Sequence, residues 1–185
     1  MKSKKKVLVK REIYTYAHLR NISHLAYRDA LENPRGRFNK CLTSMLFSAF
    51  CLEAYLNHVG DQKVSFWNDI ERKLSPMEKL KVLSAFLNFD INYGIKPFQT
   101  FREIFLFRQK LVHGKSHYFD IEEEQSLDDD EFPSSPQADW EKLINLEMTR
   151  VFFEDTDKIS TVIHKQAGLK GTPFEILGKE EASWS

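Results

Sequence analysis

The clearest periodic signal in the chain lies between Arg37 and Val59, where Phe38, Leu42, Met45, Ala49, Leu52, Leu56 and Val59 recur at alternating steps of four and three. That spacing lays one apolar stripe along a helix and predicts that this helix is central. Ahead of it, Leu19, Ile22, Ala26 and Ala30 share one face of a helix expected from about Glu12 to Leu31, which Asn33-Pro34-Arg35-Gly36 ends. Gly60-Asp61 reads as a break, and Val64 to Leu74, with Phe66, Trp67 and Ile70, as a short helix over the core. Ser75-Pro76-Met77-Glu78 has the form of a capping box with proline at the first helical position, starting a helix to about Asn88. After a loop to Lys96, Pro97 opens a helix from Phe98 to His113, with Gly114 just past its end. Ser135-Pro136 starts a last long helix, Gln137 to Gln166, that carries Trp140, Ile144, Met148, Phe152, Ile159 and Ile163 inward and stops at Gly168.

No internal repeat and no series of alternating strands interrupts this pattern. The expected fold class is therefore all-α, a bundle of four to six helices over residues 12–168. It is flanked by a flexible basic tail at 1–11 and a C-terminal tail at 169–185, with a turn or short strand around Phe174 to Leu177. Fifteen Phe against 7 Gly and 6 Pro among 185 residues agree with a helical, aromatic-rich core in one domain.

Charge adds a second layer. The totals balance at 27 acids and 27 bases, so net charge announces no nucleic-acid partner, but the distribution is uneven. Six of the first eleven residues are Lys or Arg, while Asp120 to Glu131 holds eight carboxylates and no base, inside an acidic loop at 119–136. A loop of that kind can lie across a basic cleft as a mimic of RNA. The basic start has no apolar stretch of the secretory kind, and the most apolar run, Met45 to Leu56, is short and interrupted by Ser48 and Glu53. A cytoplasmic protein without a membrane span is expected. Cys41 and Cys51 fall about 15 Å apart on one helix, too far for a mutual disulfide.

The helix from Phe98 to His113 carries an anomaly. Phe98, Phe101, Ile104, Phe105, Leu111 and Val112 form an apolar arc with Arg108 at its centre. A guanidinium does not shed its proton there, so it needs a carboxylate, an anionic ligand or a second subunit opposite it. Glu53, the only carboxylate between Lys40 and His58, lies within a turn of Ala49, Phe50 and Leu56 and is the obvious partner. A structural ion pair of Arg108 with Glu53, and His113 as a plain helix C-cap, is the simpler reading of both residues.

The run Arg108-Gln-Lys-Leu-Val-His113-Gly114 at the end of an amphipathic helix resembles the Arg, four to six residues, His signature of HEPN domains. The segment Ala49 to Asn57 looks like the long helix that packs beside it, and the resemblance covers roughly residues 12–168. It implies an all-α domain that forms a homodimer with the signature helices facing across a cleft, and, in many members, a metal-independent endoribonuclease acting as a toxin or anti-phage effector. The chain departs from the commonest signature in having Gln109 after the arginine, and from some toxin members in having Lys115 where they have Tyr.

On that resemblance Arg108 would stabilise the phosphate and His113 would move a proton, the roles that metal-free RNA cleavage requires. On a straight helix the two stand about 140° apart, so either the helix loosens at His113 or two subunits share the site. Glu53 would orient Arg108, with Asn57 one turn along the same face and Gln109 at the cleft rim. Lys110, Lys115 and His117 are placed to meet RNA. No cofactor is implied, and no HExxH, cysteine pair or Gly-rich phosphate loop points to a metal or nucleotide. An antitoxin or other protein partner fits a toxin. The alternative function is a non-catalytic helical module that uses the same helix face to dimerise or bind a partner.

Overall fold

Two stretches expected to be tails pair with each other. The computed structural model describes residues 7–120 and 135–184. In it, strand β1 (Val7–Ile13) runs antiparallel to strand β2 (Gly178–Trp184), from Val7 opposite Trp184 to Ile13 opposite Gly178. The register sets Lys10 against Glu181, Arg11 against Glu180 and Glu12 against Lys179, so successive positions oppose unlike charges, which favours this pairing. Over 7–11 the expected flexible tail is thus a strand, and the C-terminal strand begins at Gly178, beyond the expected Phe174 to Leu177. Because Glu12 and Ile13 belong to the ladder, helix α1 (Thr15–Glu32) starts three residues later than its apolar spacing suggested.

Helix α2 (Arg37–Lys63) is the centre of the molecule and packs against α1, α3 (Trp67–Ile70), α4 (Pro76–Leu87), α5 (Phe98–Val112) and α7 (Leu146–Gln166). Met45, Ala49, Leu52, Leu56 and Val59 of its stripe are buried as the spacing requires, whereas Phe38 is exposed. Gly60 does not break it. The Trp67 ring lies against the Gly60 Cα, in the space a side chain there would take, so this glycine serves close packing. The capping box forms as read: Ser75 Oγ accepts from the Glu78 N–H at 3.3 Å, and Glu78 accepts from the Ser75 N–H at 2.7 Å.

The expected helix from Gln137 is interrupted. A short helix α6 (Asp139–Lys142) precedes a turn, and Asn145 then caps α7 by accepting from the Met148 N–H at 2.9 Å. Among the described residues the protein is mostly helical, with five helices of 12 residues or more. The acidic segment 121–134 lies outside the described residues, as do residues 1–6. No described helix is long and apolar enough to cross a membrane.

Helix α5, which bears Arg108, is fixed to α7 at two points. Thr100 donates to the buried Asp155 carboxylate at 2.6 Å, and the Phe107 ring meets Phe152 edge-on with centroids 5.7 Å apart. Toward the C-terminal end of α7, His164 is buried. Its Nε2 stands 3.1 Å from the Lys170 carbonyl, which can only accept, so Nδ1 is left to accept from the Tyr55 hydroxyl at 2.7 Å. Cys41 and Cys51 are free and buried, and burial pushes the Cys51 thiol far up, away from reactivity.

Candidate functional site

The buried face of α5 ends one turn before the helix does. Phe101, Ile104, Phe105 and Phe107 are buried, but Leu106 and Val112 are exposed, Val112 at 61%. Arg108 sits at this edge with its side chain 33% exposed, not sealed within the apolar arc. Its Nη2 stands 3.5 Å from Oε2 of Glu53 on α2, so the carboxylate expected from sequence is the one that meets it. The Arg108 Nε, however, is buried and has no acceptor among the described residues.

Glu53 has a second cation. Lys79, in the first turn of α4, places Nζ 3.2 Å from Glu53 Oε1 and is only 4% exposed. Sequence reading passed over it. Lys79 and the buried Leu83 are four residues apart and so share a face of α4, and a lysine on an apolar face is the same signal that singled out Arg108. Glu53 therefore faces two cations with one carboxylate, leaving local charge positive.

Glu53 and Arg108 border a cleft of about 430 Å³ between the start of α4 and the end of α5, and Lys79 lies behind Glu53, outside the lining of the cleft. Its walls include Glu53, Ser75, Arg102, Arg108, Gln109 and His113. Arg102 is a further cation that sequence reading did not single out. His113 borders this cleft one turn past Gln109 on the same helix face, as the C-cap of α5 with φ −104° and ψ 13°. The His113 N–H donates to the Gln109 carbonyl at 3.0 Å, and Gly114 follows without the left-handed conformation expected of a C-terminal glycine. Gly114 is instead crowded: a Cβ there would stand 3.1 Å from the Lys110 carbonyl oxygen.

Lys110, Lys115 and His117 line a second cleft, of about 610 Å³, together with Phe119, Trp140 and Glu141. His113 also borders the adjoining hollow, lined by Lys110, His117 and Asp139, so it stands where the two clefts meet. Asn57 lines neither cleft, and its Oδ1 is buried without a partner. Among the described residues no three His, Cys, Asp or Glu side chains are grouped as metal ligands.

Chemically, the first cleft offers a guanidinium with unused donor capacity, a carboxylate that fixes one edge of it, and an exposed imidazole at the rim. That set suits an oxyanion and a proton transfer beside it. Comparison with models of protein families, with curated proteins and with solved structures finds no match to this chain.

Proposed function

We propose that this chain is a HEPN-like, metal-independent endoribonuclease of toxin or anti-phage type, acting as a cytoplasmic homodimer on RNA. The observation that carries the reading is Arg108. It stands 3.5 Å from Glu53 at one edge, its Nε has no acceptor among the described residues, and the side chain opens on the cleft that His113 borders. In the reaction, the ribose 2′-oxygen attacks the adjacent phosphorus while the bond from phosphorus to the 5′-oxygen breaks. The products are a 2′,3′-cyclic phosphate and a free 5′-hydroxyl.

His113 takes the 2′-OH proton, and a second imidazole, from the partner subunit, delivers a proton to the leaving oxygen. Arg108 stabilises the charge that builds on the phosphoryl oxygens. Lys110, Lys115 and His117 hold flanking phosphates, and RNA affinity accordingly falls with salt. An antitoxin would have to cover this cationic cleft.

A second reading has its own observation. Leu106 and Val112 are exposed on the cleft wall, as a helix face that meets a protein partner requires. In that reading the chain is a non-catalytic dimerisation or partner-binding module.

The test is cleavage of a labelled structured RNA in excess EDTA by the wild type, Arg108→Ala and His113→Ala, each checked for helicity and oligomeric state. The proposal expects cleavage by the wild type and a loss of about a hundredfold or more in each variant. Equal cleavage by the variants, or none by the wild type, favours the module.

A further inference from the structure

Lys79 occupies a costly position. It lies in the first turn of α4, where the positive end of the helix dipole disfavours a cation. Its ammonium is buried, and the acceptor it reaches is Glu53 Oε1 at 3.2 Å. A buried charge with one hydrogen bond recovers little of its desolvation, so stability alone does not account for a lysine there.

The geometry around Glu53 shows what Lys79 changes. An arginine beside a carboxylate ordinarily uses two nitrogens on two oxygens, forming a fork. Here Lys79 holds Oε1, and Arg108 approaches Oε2 through Nη2 at 3.5 Å, with Nε left without an acceptor among the described residues. The fork is not made.

We propose that Lys79 is a positioning residue for an oxyanion site at Arg108: by occupying one oxygen of Glu53 and cancelling its charge, it keeps the Arg108 guanidinium free for a phosphate group. This deepens, and rests on, the reading of the cleft as the phosphate site of a ribonuclease. Without Lys79, both carboxylate oxygens turn to Arg108 and Glu53 fills the site itself. With Lys79 in place, an anion entering the cleft meets a guanidinium that its own chain has not forked, with Arg102 adding positive potential from the same wall.

The experiment follows the Arg108 Nε–H resonance in the ¹⁵N-labelled full chain, assigned through Arg108→Lys, during titration with inorganic pyrophosphate. The wild type is expected to show a saturable shift. In Lys79→Met the resonance is displaced before any anion is added, and pyrophosphate affinity falls about tenfold or more. In the neutral pair Lys79→Met/Glu53→Gln, which removes both charges and leaves none buried alone, affinity returns to near the wild-type value. A wild-type Arg108 resonance indifferent to pyrophosphate overturns the proposal, as does Lys79→Met binding like the wild type or a double variant that fails to recover.

RNA cleavage measured alongside separates the two claims. Lys79-dependent pyrophosphate binding without cleavage leaves the anion site standing and removes the ribonuclease reading. Cleavage whose KM and kcat are unmoved by Lys79→Met removes the role of Lys79 alone.

Discussion

Lys79 and Glu53 form a half-buried ion pair behind the wall of the cleft, with Nζ 3.2 Å from Oε1 and the two side chains 5% and 24% exposed. Because α2 carries the acid and α4 the base, the pair joins two of the packed helices as well as setting the position of Arg108. Its removal should therefore be felt in stability before it is felt in any activity. Glu53→Ala leaves a buried ammonium without its acceptor and should lower the unfolding free energy by about 3 kcal/mol. Glu53→Gln, whose amide oxygen still accepts from Lys79, should cost about 1 kcal/mol. Urea unfolding of the two variants checks the order; equal costs would show that the pair does not hold the helices.

Gly60→Ala tests the packing of Trp67 on α2. In a helix interior, alanine is ordinarily favoured over glycine by about 1 kcal/mol. Here the Trp67 ring occupies the space the methyl group needs, and Trp67 is itself buried, so it has nowhere to retreat. The substitution should destabilise by about 2–3 kcal/mol despite the better propensity. A thermal melt that rises instead of falling would mean the ring is free to move.

Stability should also fall in acid. Burial pushes the His58 imidazole below its ordinary value of 6.5, outweighing the opposing pull of Glu12 and Asp61. The unfolded chain thus binds a proton at this position more readily than the folded one. Stability from this term is complete above the unfolded pKa and declines as pH drops through it, until the lower folded pKa is reached. His24 is depressed as well, first by burial and then by Arg20 and Arg28, and acts in the same direction. Unfolding free energy measured from neutral pH downward should decrease, with a shallower slope in His58→Asn. An unchanged slope in that variant would remove His58 from the account.

The long helices and the partnership of Glu53 with Arg108 were legible from the chain because each rests on a local pattern. Steps of three and four fix a buried stripe, a capping box fixes the start of α4, and a lone arginine in an apolar arc asks for the nearest apolar-flanked acid. What the sequence hid depends on partners far along the chain. Lys10, Arg11 and Glu12 resemble a charged tail until Glu181, Glu180 and Lys179 stand opposite them. His164 looks like a helix-end histidine until Tyr55, on another helix, supplies its proton donor. Gly60 reads as a breaker although Trp67 is only seven residues on, because composition does not show that the chain turns after Lys63 and lays that ring back on the helix. Lys79 differs: its place four residues before Leu83 on the apolar face of α4 is written locally, but Glu53, the acid that meets it, lies 26 residues away on another helix.

The central claim is that Arg108 and His113 carry metal-free transesterification of RNA, and the most direct measurement is the identity of the products. One RNA, and the same RNA with 2′-deoxyribose at the cleaved position, would be incubated with the wild-type protein in excess EDTA and the fragment ends analysed. The account predicts a 2′,3′-cyclic phosphate and a 5′-hydroxyl from the first RNA, and no cleavage at that position in the second. Cleavage of the deoxy-substituted RNA at that position, or a 5′-phosphate on the fragment, would contradict it.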